Sequence, residues 1–299
     1  MNRILLTGKN GQVGWELQRT LAASATLIAL DSSQLDLSDA DAIRKTLRDL
    51  RPDIIINPAA YTAVDKAESE PELAMAVNSI APGILAEEAH RLGAVLVQYS
   101  TDYVFDGNKP APYTVDDVPN PQCVYGKTKL AGEMAIRASG CKHLILRTSW
   151  VYGVHGGNFV KTVLRLARER SELRIVADQF GAPTWARDLA QATASALAGW
   201  QEKNWDDSLN GLYHLTAAGR TNWHHYAEEI VRLAREYDAA LAAKPLDIRA
   251  IATHEYPVPA KRPANSVLAN DKIRDTFGIA LPEWQDSLAG CMRLLYETQ

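Results

Sequence analysis

Gly8, Gly11 and Gly14 follow an apolar run at residues 3–7 and open an amphipathic stretch at residues 11–23. A strand, a glycine turn and a helix in direct succession constrain the fold more than any other feature of the chain. Glycines permit a tight turn and a close backbone approach, and N–H groups at the helix start face an anion such as a pyrophosphate. The spacing is GxxGxxG; the context, more than the glycines, carries the reading. Asp31 closes the next apolar run. A carboxylate there accepts hydrogen bonds from an adenosine ribose, which favours NAD. Lys9, inside the turn, suits a 2′-phosphate, so NADP stays open.

The alternation continues. Strands are expected at residues 26–31, 53–57, 94–100 and 143–150, with helices at 39–50 and 71–92. The run DIIIN at 53–57 is apolar throughout, as in a strand covered on both faces. Strands alternating with helices imply right-handed βαβ units and a doubly wound parallel sheet of Rossmann type. Residues 103–121 break the pattern with four prolines and read as a long, functional loop. Beyond Trp150 we expect a smaller C-terminal lobe. It holds helices at 158–170, 186–200 and 223–237, and strands at 173–177 and 212–215 that return to the sheet. The division expected is 1–152 for the dinucleotide and 153–299 for the substrate.

Composition narrows the class. Of 299 residues, 46% are hydrophobic and 23% charged, with a net charge of −4. This is an ordinary globular balance, not a disordered one. No apolar run approaches the roughly 18–20 residues of a membrane span. The first residues do not form a signal peptide. Nucleic acid is not an expected partner. Cys123, Cys141 and Cys291 form no CxxC pair, and the seven histidines show no metal spacing. Free thiols in a reducing cytoplasm are expected.

Tyr125 and Lys129 form a YxxxK motif. On a helix the two lie about 6 Å apart along the axis and share a face. An ammonium beside the phenol is expected to lower its pKa towards the range of efficient proton transfer. Ser100, Thr101 and Asp102 end the fourth strand, where a hydroxyl reaches a substrate oxygen.

Together the glycine turn, the strand-end hydroxyls and YxxxK resemble the extended short-chain dehydrogenase/reductase family. Within it the chain is similar to the dTDP-4-dehydrorhamnose reductases. The segments that carry this are 11–17 (GQVGWEL), 61–68 (YTAVDKAE), 100–107 (STDYVFDG), 125–129 (YGKTK), 147–152 (RTSWVY), 178–184 (DQFGAPT) and 262–266 (RPANS). They run from end to end of the chain. The resemblance implies reduction of the 4-keto group of dTDP-4-dehydro-L-rhamnose to dTDP-L-rhamnose with NADPH or NADH, in the synthesis of bacterial surface polysaccharide. It makes Thr101, Tyr125 and Lys129 catalytic. It lines the cofactor with Gly8, Gly11, Gln12, Val13, Gly14, Asp31, Ala60, Tyr61 and Thr62, beside Tyr125 and Lys129. Thr101, Asp102 and Trp150 would touch the sugar, and Gln179, Pro183, Thr184 and Arg262 the nucleotide diphosphate. Asn78 takes the place of a structural asparagine. From the residues alone, Trp150 is open between sugar contact and plain core, and Arg262 between diphosphate contact and surface salt bridge.

Some members of the family bridge dimers through Mg²⁺ held by glutamates. Glu16 matches one such position, but Arg187 and Leu294 stand at the other two, so no metal site is expected; the chain would be a monomer or a homodimer. Two other readings stay open. One is an epimerase or dehydratase of the same family, although dehydratases carry Asp-Glu after the strand-end threonine and this chain has Asp102-Tyr103. The other is a non-catalytic NAD(P)-binding regulatory subunit.

Overall fold

A computed structural model describes residues 2–23 and 25–297. The first half is built from β1 (Arg3–Leu6), α1 (Gln12–Leu21), β2 (Thr26–Ala29), α2 (Ala40–Leu50) and β3 (Ile54–Asn57). Next come the short α3 (Val64–Ala67), then α4 (Pro71–Met75), α5 (Ala81–Leu92), β4 (Val95–Thr101), α6 (Val124–Ala138) and β5 (Lys142–Thr148). A six-stranded sheet runs in the order Gly211–His214, β5, β4, β3, β1, β2, and every pair in it is parallel. The strand order reverses between β1 and β3. The loops after these two strands therefore part there and open a crevice at the carboxyl edge, where ligands of such sheets bind.

Side-chain alternation along the buried strands builds two cores. Ile4, Leu6, Ile56, Val97, Leu144 and Leu146 face one side, with Leu17 of α1 and Leu189 and Trp200 of the helix Ala186–Glu202. Leu5, Ile55, Leu96 and Ile145 face the other, with Ile43 and Leu47 of α2 and Leu85 of α5. Two apolar faces explain the continuous IIIN run. Helix α2 starts where Asp39 accepts hydrogen bonds from the N–H groups of Asp41 and Ala42, both at 3.0 Å. The three cysteines are buried free thiols. Among the described residues no helix is long and apolar enough to cross a membrane.

The strand expected near 173–177 does not join the central sheet. Glu172–Val176 pairs with Asp247–Ile251 in a separate two-stranded parallel sheet. The free edge of β5 is taken by Gly211–His214, so the earlier strand has no edge there to join. Around the small sheet, a third core gathers Tyr226, Trp185, Trp284 and Met292.

The helix expected over 71–92 is interrupted by a π-helical turn at Ala76–Ile80. Pro82 accounts for it. Proline has no N–H to give to the carbonyl four residues back, and its ring crowds that carbonyl. The ladder widens instead, so that Ala81 N–H reaches Ala76 O. The carbonyl released belongs to Asn78, and it faces Gly132 of α6 so closely that a Cβ at Gly132 would overlap it. A Cβ at Gly126 would likewise overlap the carbonyl oxygen of Tyr103. The Gly132→Ala variant must push α6 off this turn. Urea denaturation should show a loss of about 1–3 kcal/mol, the usual cost of overpacking.

Candidate active site

At the end of β1, Gly8 adopts φ 57°, and a Cβ there would come within 2.9 Å of the Ala59 Cβ. Gly11 N–H closes the turn on Gly8 O at 2.9 Å. A Cβ at Gly14 would overlap that same Gly8 oxygen. Helix α1 begins with Gly11 as N-cap, no capping side chain and no acidic residue in its first turn. Its N-terminal N–H groups and dipole are thus turned towards an anion. Gln12 fastens the turn to the later chain, donating to Val151 O at 3.3 Å and accepting from Asn158 at 3.0 Å. Val13 packs on the core beneath.

Asp31 lies beside this turn. It accepts from the Ser33 hydroxyl at 2.6 Å and from Asn10 at 3.2 Å, and pairs with Lys9 at 3.2 Å. The Ser33 hydroxyl, followed by Lys9, holds its carboxyl down to about 2. An ionised carboxylate and an ammonium therefore sit together beside the glycine turn. Across the crevice, Ala60, Tyr61 and Thr62 follow β3. Asn78, from the π turn, accepts from Tyr61 N–H at 2.8 Å and donates to Tyr61 O at 3.1 Å and to Thr128 at 3.2 Å. The Tyr61 hydroxyl donates to Glu70 at 2.7 Å. This donor set and its glycine cradle fit a nicotinamide dinucleotide.

The catalytic candidates meet at the carboxyl end of β4. Tyr125, in the first turn of α6, comes close enough to Thr101 for the Thr101 hydroxyl to favour its ionised form. Thr101, 4% exposed, donates to Asp102 at 3.0 Å. Burial pushes the Asp102 carboxyl up to about 6 against the pull of the Ser266 and Thr101 hydroxyls, and one of its oxygens has no partner. Lys129, 4% exposed, donates to Tyr99 O at 2.6 Å rather than to Tyr125. The same carbonyl accepts from Gln98 at 2.8 Å, Gln98 from Asn57 at 2.7 Å, and Asn57 from Thr7 at 2.5 Å. A buried polar ladder thus runs from β1 to Lys129. The expected lowering of the Tyr125 pKa is not found. Burial raises that phenol above its ordinary value, and Thr101 only partly opposes this. Burial also pulls the Lys129 ammonium down to about 8.

The substrate candidates are placed unevenly. Trp150, at φ 48°, stacks on Trp223 with ring centroids 3.6 Å apart and covers Gly181. Gln179 is buried and donates to Thr253 at 3.1 Å. Pro183 and Thr184 are buried too. Thr184 donates to Ala182 O at 3.1 Å and accepts from Ala217 N–H at 3.2 Å, which leaves its hydroxyl to the backbone and away from any ligand. Arg262 is half-buried and already engaged, donating to the Tyr103 hydroxyl at 2.8 Å and to Asp65 at 2.6 Å. It bridges the C-terminal segment to α3 and to the turn after β4.

Glu16 does not fit a magnesium ligand. It lies in a cavity of about 450 Å³ lined also by Trp15, Arg19, Arg187, Gln191 and Leu294. Burial raises its carboxyl while Arg187 and Arg19 pull it down. Two guanidinium groups line the same cavity and act on that carboxylate, and a cation added beside them would be repelled. No group of three His, Cys, Asp or Glu side chains suited to a metal occurs among the described residues.

Some site residues escaped the sequence reading. Trp223 is the stacking partner of Trp150, and the Ser266 hydroxyl, which donates to Phe180 O at 3.3 Å, also favours the ionised Asp102 carboxylate. Glu133 continues the face of Tyr125 and Lys129 by one further step of four, a spacing that was there to be read.

Comparison with known proteins is consistent along the chain. The family described as RmlD substrate binding domain matches residues 1–297. A dTDP-4-dehydrorhamnose reductase of Burkholderia thailandensis is 47% identical, covering 97% of this chain and 98% of that protein. The crystal structure of a dTDP-4-dehydrorhamnose reductase from Clostridium acetobutylicum superposes with a TM-score of 0.90 at 41% identity, covering 98% and 99%. That of dTDP-4-dehydrorhamnose reductase from Bacillus anthracis, in complex with NADP, gives 0.87 at 35% identity with the same coverage.

The Lys9–Asp31 ion pair beside the glycine turn offers a test of cofactor choice. In Lys9→Ala, removal of a charge-assisted contact worth about 1.5–3 kcal/mol should raise the KM for NADPH about tenfold or more. The KM for NADH should change far less, as steady-state assays with both cofactors would show.

Proposed function

Since the chain belongs to the family described as RmlD substrate binding domain, we propose that it reduces the 4-keto group of dTDP-4-dehydro-L-rhamnose to dTDP-L-rhamnose with NAD(P)H. The observation that carries this is the meeting of buried Thr101, at the carboxyl end of β4, with Tyr125 and buried Lys129, one helical turn apart on the same face of α6.

Reduced nicotinamide supplies the hydride when bound. The chain's own task is to deliver a proton to the carbonyl oxygen as negative charge grows on it. A donor for reduction must be protonated before the step, and burial keeps the Tyr125 phenol so. The Thr101 hydroxyl, turned from Asp102 to the substrate, adds a hydrogen bond to the same oxygen. Lys129, fixed by Tyr99 O, steadies the phenolate left behind. Donors aimed at developing charge in a site shielded from water are a large part of catalysis. Asp102 and Trp150 border the sugar, and Arg262 and Gln179 the diphosphate. Residues 1–152, with the strand Gly211–His214 and the helix Ala186–Glu202, hold the dinucleotide, and the rest of 153–299 the sugar nucleotide. Unpaired thiols and nucleotide substrates suit a cytoplasmic enzyme, a monomer or homodimer. Its product is a precursor of bacterial surface polysaccharide.

The test generates the ketosugar from dTDP-glucose with a 4,6-dehydratase and a 3,5-epimerase. Loss of reduced-nicotinamide absorbance that depends on the epimerase is expected. Tyr125→Phe should lower the rate by about 10²–10⁴-fold, the usual share of general acid catalysis, with cofactor binding kept in a fluorescence titration. No consumption of NADPH or NADH on this sugar would refute the proposal.

A further inference from the structure

Tyr125, Lys129 and Glu133 follow one another at steps of four along α6. Each step advances about 6 Å along the axis and keeps the same face. The third of these residues is buried at 3% exposure, deep between helix and sheet. One of its oxygens accepts from the Ser100 hydroxyl at 2.5 Å and from Arg147 Nε at 2.9 Å, and the other accepts from Arg147 Nη2 at 2.6 Å. Ser100 and Arg147 are direct partners in the pairing of β4 with β5. One carboxylate therefore fixes α6 on two strands at once.

We infer that Glu133 is a positioning residue for the catalytic lysine: its buried carboxylate locks α6 onto β4 and β5 and supplies the negative charge that keeps Lys129 an ammonium on the Tyr99 carbonyl. This rests on the role given to Lys129 above. A buried ammonium with only a carbonyl for a partner is costly unless an opposite charge lies near. Several groups face this part of the site. Tyr125 and Glu133 come from α6, Asp102 and Tyr103 from the turn after β4, and Arg147 from β5. Asp102 and Tyr103 bear on the Tyr125 phenol. Glu133, one turn further along the same face of α6, opposes the effect of burial on the Lys129 ammonium. Arg147 is 2% exposed, one of its terminal nitrogens has no partner, and it lies 5.1 Å from the Phe105 ring centre. Its two hydrogen bonds to Glu133 fix the direction of the carboxylate.

The experiment compares Glu133→Gln with Glu133→Asp. The first keeps the shape and loses the charge; the second keeps the charge at a shorter reach. The readout is the alkaline limb of the kcat/KM–pH profile, where Lys129 loses its proton. Glu133→Gln should move that limb down by about one pH unit or more, and Glu133→Asp should leave it near the wild-type position even if kcat falls. Should the Gln variant fail to fold, the double variant Glu133→Leu/Arg147→Met removes both charges at similar volume, a swap that cores often tolerate. It also removes a nearby cation, so its shift should have the same direction and a smaller size. Nitrogen-15 NMR titration of the Lys129 ammonium reads the shift without turnover. A failure of the reductase proposal therefore leaves this test standing. A limb and an ammonium titration that stay put in the Gln or double variant would reduce Glu133 to packing. A shift of equal size in the Asp variant would assign the effect to geometry and overturn the charge role.

Discussion

The close seating of α6 against the carboxyl edge of the sheet is the constraint on which the rest of the site depends. Gly126 and Gly132 make it possible, because each lets the helix backbone rest against a carbonyl oxygen, of Tyr103 and Asn78 respectively. Asn78 is free to meet Gly132 because Pro82 has withdrawn the donor that its carbonyl would have had in a regular helix. The side chain of the same residue holds both backbone groups of Tyr61 and touches Thr128 of α6. One joint thus sets the cofactor loop after β3, the catalytic helix and the turn after β4. π-helical turns gather at functional sites for such reasons.

A second consequence is electrostatic. Bringing Tyr125 and Lys129 this deep removes water from both, and burial then pushes the phenol up and the ammonium down. That combination suits a reduction. The phenol starts with the proton it must give, and the ammonium is held by Tyr99 O at the end of the ladder that begins at Thr7. β1, which presents the glycine turn, is thereby tied through side chains to the lysine that serves the chemistry.

Much of this was legible in the sequence, because it rests on local pattern. The alternation of apolar strands and amphipathic helices is a property of short windows, and the glycine turn is recognisable from its place between them. What was not legible depends on distant partners. Glu172–Val176 reads as a strand, but its neighbour Asp247–Ile251 lies far along the chain. The pairing of Arg262 with Asp65, the stacking of Trp150 on Trp223, and the loss of the Thr184 hydroxyl to Ala182 and Ala217 are of the same kind. The YxxxK spacing places Tyr125 and Lys129 on one face but says nothing of the Tyr99 carbonyl that captures the ammonium. Pro82, by contrast, stood inside an expected helix and was a signal for the π turn.

The most direct measurement follows the hydride itself. NADPH carrying deuterium at carbon 4 of the nicotinamide, in each of its two epimers, is supplied with dTDP-4-dehydro-L-rhamnose, and the sugar nucleotide formed is examined by NMR and mass spectrometry. One epimer should pass a single deuterium to carbon 4 of dTDP-L-rhamnose, and the other none. A product without deuterium from either epimer, or with it at another carbon, would contradict the account.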